Sequence, residues 1–215
     1  MHREQVLKAI SDSGVIAIVR GISKNCLENV INALNEGGII CVEIASNSDD
    51  ALSMVSFMAE KYADRVLTGV GTITDGKTAR EFIKAGARFI LSPSLHRDVI
   101  DAARENGVVS IPGAYTPTEI FNAYQWGGDI VKVFPSATGG VNYIKQIRAP
   151  FSHIPLLAVG GVTVENAADF VAAGCVGVGV GSNLVNPERI SKGDFEWIKR
   201  TARMFKDAVE NGRGL

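Results

Sequence analysis

Strand-like and helix-like segments alternate eight times along the 215 residues, and that alternation limits the possible folds more than any other feature. Strands are expected over 15–20, 39–45, 66–71, 89–91, 108–111, 129–135, 156–159 and 176–180. Helices are expected between most of them, over about 24–35, 49–62, 75–85 and 96–105, from 117 onward, and up to about 173. A further helix is expected over 195–211. Before the first strand, Val6, Leu7 and Ile10 share one face of an extra N-terminal helix over about 3–12. Gly37-Gly38, Gly86, Gly107, Gly127-Gly128 and Gly174 each follow a helix and precede a strand, where a left-handed C-cap glycine belongs. Short connections of this kind predict a (β/α)8 TIM barrel rather than a doubly wound sheet, with residues 1–215 forming one domain.

The stretch D-I-V-K-V-F-P at 129–135 reads as a buried parallel strand interrupted by Lys132. Taking an ammonium out of water costs several kcal/mol, on the order of the penalty for any buried ion. One reading is an edge strand whose lysine reaches solvent. The other is an amine that loses its proton easily and attacks a carbonyl. Parity carries the argument further. If Val131 and Val133 face the helices, Ile130, Lys132 and Phe134 face the barrel interior, and Cys41 and Glu43 do the same on the second strand. A buried ion pair of Lys132 with Glu43 is the bland alternative to catalysis.

Active sites of such barrels lie at the C-terminal strand ends. Arg20, Glu43, Asn47, Thr72, Pro93, Lys132 and Phe134 fall at those ends, and Gly160-Gly161 and Gly181-Ser182 follow the last two strands. Backbone amides after those strands are the usual phosphate cup of this architecture. The competing explanation is that Gly177, Gly179 and Gly181, spaced by two, relieve crowding on one strand face.

Several function classes have no support. With 46% apolar residues and a formal net charge of −1, neither a nucleic-acid surface nor an acidic tail is expected. Cys26, Cys41 and Cys175 are scattered and odd in number, which fits a reducing, cytoplasmic setting and no disulfide framework. His2, His96 and His153 are dispersed, so no metal site is expected. The first ten residues carry charges and read as an amphipathic helix, not a signal peptide, and no segment is apolar enough to span a membrane.

The ordered set Ile16-Ala17-Ile18-Val19-Arg20, Val42-Glu43-Ile44, Gly69-Val70-Gly71-Thr72, Leu91-Ser92-Pro93, Pro112-Gly113 with Thr116-Pro117-Thr118-Glu119, Val131-Lys132-Val133-Phe134-Pro135 and Gly160-Gly161-Val162 resembles a known family. It is similar to the class I aldolases for 2-keto-3-deoxy-6-phosphogluconate (KDPG) and 4-hydroxy-2-oxoglutarate (KHG), from about Val15 to Pro187. The resemblance implies cleavage of a small 2-oxo acid to pyruvate and an aldehyde, without metal or other cofactor, in what is commonly a homotrimer. It implies Lys132 as Schiff-base former and Glu43 as acid/base. Thr72, Pro93 and Phe134 would surround the pyruvoyl portion, with Arg20, Gly160, Gly161, Gly181 and Ser182 nearer the distal, often phosphorylated end.

Three positions depart from the commoner family pattern: Asn47 stands where many members have arginine, Val159 where threonine is frequent, and Asn183 where tryptophan is frequent. Asn47 is expected either to donate to the substrate carboxylate from its amide or to cap a helix starting near Ser48. On the first reading, Asn47→Arg should tighten pyruvate binding. Two other classes stay open on the fold alone: a phosphosugar isomerase or epimerase using Glu43 as base, and a non-catalytic phosphate-ligand-binding barrel.

Overall fold

The computed structural model describes residues 1–214, and its strands are β1 (Val15–Val19), β2 (Cys41–Ala45), β3 (Leu67–Gly71), β4 (Phe89–Leu91), β5 (Val109–Ile111), β6 (Gly113–Ala114), β7 (Val131–Val133), β8 (Leu156–Val159) and β9 (Cys175–Val180). Their order is β5-β4-β3-β2-β1-β9-β8-β7-β6, and every pairing is parallel. The two ends of that order, β5 and β6, are consecutive in the chain with only Pro112 between them. The expected fifth strand is therefore split at a residue that has no N–H to give to a ladder. On one side the Ile111 carbonyl accepts from the Ser92 amide (3.4 Å); on the other the Pro112 carbonyl accepts from the Lys132 amide (2.9 Å). The split strand pairs with β4 through its first half and β7 through its second, which brings the barrel to near closure.

Alternation along the strands sorts side chains into two layers. Ile16, Cys41, Leu67, Phe89, Leu91, Val109, Ile111, Ile130, Leu157 and Val159 fill the barrel interior. Their neighbours, among them Val42, Ile44, Val131 and Val133, face the helices. The parity expected for β2 and β7 holds. Each large apolar side chain fully buried in these layers contributes roughly 1.5–3 kcal/mol. The N-terminal helix α1 (Arg3–Ser13) lays Val6 and Ile10 on the interior cluster and so closes the N-terminal end of the barrel. Arg3 pairs with the nearly buried Asp129 at the foot of β7, and Gly14 ends the helix at φ 65°.

The remaining helices pack outside: α2 (Lys24–Glu36), α3 (Ala51–Lys61), α4 (Gly76–Lys84), α5 (Arg97–Glu105), α6 (Pro117–Gln125), α7 (Ser136–Arg148), α8 (Val164–Ala172), α9 (Pro187–Ser191) and α10 (Phe195–Arg213). The capping box read from Thr116 and Glu119 is formed: the Glu119 amide donates to Thr116 Oγ1 (3.3 Å) and the Thr116 amide to Glu119 Oε2 (2.8 Å).

Two helices were not anticipated. α7 contains Gly139-Gly140, which lower helix propensity, and its backbone breaks at Gly140 (φ 67°). α9 is only five residues long, too short to show a periodicity. Two expectations need correction. α3 begins at Ala51 rather than near Asp49, with Asp50 at its N-cap, so Asn47 does not cap it. Of the pairs Gly37-Gly38 and Gly127-Gly128, only Gly38 and Gly127 take positive φ (90° and 100°), because one left-handed residue suffices to end a helix.

Candidate active site

Strand parity and closure bring the expected residues to one mouth. A cleft of about 470 Å³ at the C-terminal strand ends is lined by Arg20, Glu43, Thr72, Pro93, Lys132, Phe134, Gly160, Gly161, Gly181 and Ser182. Of the residues expected at the site, only Asn47 is set back from the wall. Ile18, Val159, Val162, Gly179 and Asn183 complete the lining. Among the described residues no group of three or more His, Cys, Asp or Glu side chains is arranged to hold a metal ion.

Lys132 and Glu43 lie inside the barrel, 6% and 1% exposed. Burial pushes the Lys132 ammonium below its ordinary value; Glu43 opposes that shift and Arg20 adds to it. Burial likewise pushes the Glu43 carboxyl above the usual carboxylate range, against the pull of Lys132 and Arg20. Both groups are thus driven toward their neutral forms. The bland reading of a structural ion pair is not what the geometry shows. Among the described residues no ion pair joins the two, and Glu43 Oε2 is buried without a hydrogen-bond partner. The Phe134 ring lies at the mouth, its centroid 4.8 Å from Lys132 Nζ.

Sequence reading missed why Glu43 stands where it does. A Cβ at Gly71, on neighbouring β3, would lie 1.6 Å from Glu43 Oε1, and one at Gly69 would lie 2.2 Å from the Phe89 ring. The G-V-G of β3 makes room first for the barrel core and then for the carboxylate. Thr72 follows at φ 62°, a strained backbone for a β-branched residue. Its carbonyl accepts from Ser46 Oγ (3.0 Å). Ser136 was also missed: its buried hydroxyl donates to the Val133 carbonyl (2.7 Å) and accepts from the Val159 amide (3.1 Å), tying the end of β7 to β8. An unremarkable serine after a proline carries no sequence signal for that role.

The glycine cup has a different explanation at each residue. Crowding accounts for Gly177, where a Cβ would meet the Gly14 carbonyl oxygen at 2.4 Å, and for Gly179, where it would meet Val159 at 2.8 Å. Gly181 has open space instead, so crowding does not explain it. Gly160 and Gly161 both take positive φ (90° and 73°), and Cβ atoms there would press on Phe134 and Ala137. Asn183 Nδ2 donates to the Val162 carbonyl (2.7 Å), joining the two loops of the cup.

At the opposite side of the mouth, Arg20 Nη1 donates to Asn47 Oδ1 (2.8 Å) and Nη2 to Thr72 Oγ1 (2.9 Å). Asn47, expected to donate to the substrate from its amide, turns its side-chain carbonyl oxygen to Arg20. Arg20, which the resemblance implied to lie nearer the cup, crosses the end of β2 to reach Thr72 beyond β3 and lines the same cleft as the cup glycines.

A family model described as KDPG and KHG aldolase matches residues 6–201. The chain is 33% identical to the 2-dehydro-3-deoxy-6-phosphogalactonate aldolase of Escherichia coli (strain K12), over 91% of this chain and 96% of that protein. It is 32% identical to a 2-dehydro-3-deoxy-phosphogluconate aldolase of Pseudoalteromonas atlantica, over 85% of this chain and 84% of that one. A native KDPGal structure superposes with a TM-score of 0.88 at 34% identity, covering 94% of this chain and 96% of that one.

Proposed function

The chain is a class I aldolase of the KDPG and KHG aldolase family, and on that premise we propose that Lys132 is its imine-forming amine and Glu43 its proton relay. The observation that carries this is a lysine 6% exposed in an apolar strand, its ammonium disfavoured by burial, opening on the same cleft as a buried carboxyl. The neutral amine attacks C2 of the 2-oxo acid. Glu43 protonates the departing hydroxyl of the carbinolamine, leaving water and a protonated imine. The carboxylate then takes the proton of the C4 hydroxyl. The C3–C4 bond breaks, its electron pair enters the enamine, and the aldehyde leaves. Glu43 returns its proton to C3, and hydrolysis of the imine frees pyruvate and Lys132.

For the substrate we propose a 2-keto-3-deoxy-6-phospho sugar acid, giving glyceraldehyde 3-phosphate as the aldehyde, with KHG as a poorer substrate giving glyoxylate. Support comes from the cup of Gly160, Gly161, Gly181 and Ser182, whose open Gly181 leaves backbone accessible to an anion. Relatives acting on the galactonate and the gluconate epimers are almost equally similar, so identity does not choose between them. Pyruvate release followed on both phosphorylated epimers and on KHG decides it. We expect kcat/KM at least tenfold higher for one of the phosphorylated acids. Failure to release pyruvate from all three overturns the function.

We further propose a single-domain enzyme of the cytoplasm, in keeping with three free thiols, that assembles as a homotrimer. Phe121 and Tyr124, each more than a third exposed and packed on Phe151 and His153, offer an aromatic face suited to a subunit contact. Sedimentation equilibrium should give the mass of three 22.9 kDa chains, and Phe121→Asp should reduce it. A monomer for the unaltered protein removes the trimer.

A further inference from the structure

The foot of the barrel, opposite the catalytic mouth, holds a second cavity of about 240 Å³. Ala9 of α1, Ile40 before β2, Ala59 and Ala63 at and beyond the end of α3, Val66 and Gly86 give it small or apolar walls. Met1 and Ile40, two of the exposed large apolar side chains, stand on it. One polar side chain there has no explanation within the fold. Thr68 is 2% exposed, and its Oγ1 is buried with no hydrogen-bond partner among the described residues. A buried hydroxyl left unpaired destabilises a fold unless another molecule pairs with it. The Thr68 carbonyl already accepts from the Arg88 amide (2.8 Å), so the hydroxyl is the group it has left for the cavity.

Strand register places a cation beside that hydroxyl. Val70 and Ile90 are partners on β3 and β4 and face the helices. Thr68 and Arg88 lie two residues before them, so by parity they are neighbours on that same face. Both line the cavity. Arg65, also on its rim, is engaged: its guanidinium lies 5.0 Å from the Tyr62 ring centroid and 3.8 Å from the Asp64 carboxylate. Arg88 has no carboxylate partner among the described residues. From this juxtaposition we propose that the cavity is a binding site for a short aliphatic carboxylate of about five to seven carbons, smaller than the occupant of an ordinary ligand pocket. One carboxylate oxygen accepts from the Thr68 hydroxyl and the other from the Arg88 guanidinium, a charge-assisted bond. The hydrocarbon leaves water against Ala59, Ala63 and Val66, a gain that a bare inorganic anion does not make. Glu43 and Lys132 open on the other end of the barrel, so the site stands apart from the aldolase chemistry.

Hexanoate is the probe, with inorganic phosphate as the anion that has no hydrocarbon. Each is titrated into the full chain and followed by protein NMR, for the unaltered protein, Thr68→Val, Arg88→Gln and Arg20→Gln. Hexanoate should give a saturable shift centred on residues of the foot, and phosphate none there. Thr68→Val and Arg88→Gln should each weaken hexanoate about fivefold or more, the effect of losing a hydrogen bond to a charged group. Arg20→Gln, at the mouth, should change it less than about twofold, which separates this site from a carboxylate bound in the catalytic cleft. Arg88 is exposed, so its variant is expected to fold. Valine keeps the shape of Thr68 without the unpaired hydroxyl, so the thermal midpoint of Thr68→Val without hexanoate should equal or exceed that of the unaltered protein. A lowered midpoint would show the hydroxyl to be paired within the fold and overturns the proposal. So does the absence of a saturable shift, a shift lost in Arg20→Gln but kept in both foot variants, or equal binding of phosphate at the foot.

Discussion

Lys132→Met should abolish both borohydride-dependent capture of pyruvate and substrate cleavage while making the fold more stable. The first loss follows because methionine keeps length and burial but has no amine to form an imine. The gain follows from the cost of holding an ammonium at 6% exposure among Ile130, Val131 and Val133. Burial lowers the Lys132 pKa, so between that lowered value and the ordinary 10.5 the unfolded chain binds more protons than the folded one. Stability therefore rises with pH through this window. The penalty is at its full size below the folded pKa and fades as pH approaches 10.5. Methionine should accordingly raise the thermal midpoint most at neutral pH and least near pH 10, by about 2–4 °C for each kcal/mol recovered in a chain of this size. Calorimetry at the two pH values checks the stability arm, and peptide mapping checks the chemical one. Undiminished labelling of another lysine in Lys132→Met would sink the mechanism.

Glu43→Gln should lower turnover by about two to four orders of magnitude, the usual contribution of a positioned acid or base. Glutamine preserves the shape that fits beside Gly71 but neither accepts nor returns a proton. Exchange of the pyruvate methyl protons with solvent needs only Lys132 and the relay, so it should fall in parallel, while slow trapping of pyruvate at Lys132 persists. Gly71→Ala reaches the same group by another route. A methyl 1.6 Å from Oε1 forces the carboxylate to move, and activity should drop although Lys132 and Glu43 are themselves unaltered. NMR of methyl exchange on the three proteins is the measurement, and normal exchange in Glu43→Gln would show that the base lies elsewhere.

Much of this site was legible in the sequence alone. Period-two alternation around Lys132 and Glu43 sent both side chains inward, because a strand gives its residues only two faces. Glycines and prolines marked most turns, since few residues end a helix or a strand as they do. The ordered motifs named the family. Some local features were not legible: α7 was hidden by Gly139-Gly140, and α9 was too short to leave a pattern.

Asn47 shows where sequence stops. Its residue type allows an amide donor to a carboxylate, a helix cap or an acceptor for a cation, and all three cost nothing in local conformation. The choice fell to the acceptor role because barrel closure sets β1, β2 and β3 side by side, within reach of one long arginine side chain. Gly71 is a similar case. Its φ is unexceptional, so only the carboxylate across the strand explains it. Gly181 differs from Gly177 and Gly179 only in what surrounds it. The sequence by itself determined the barrel and the inward direction of Lys132 and Glu43, because those follow from local periodicity and composition. Only the tertiary structure decided which residues hold Arg20, why Glu43 has room, and how Pro112 divides the strand that closes the barrel. Each of those depends on contacts between strands far apart in the chain.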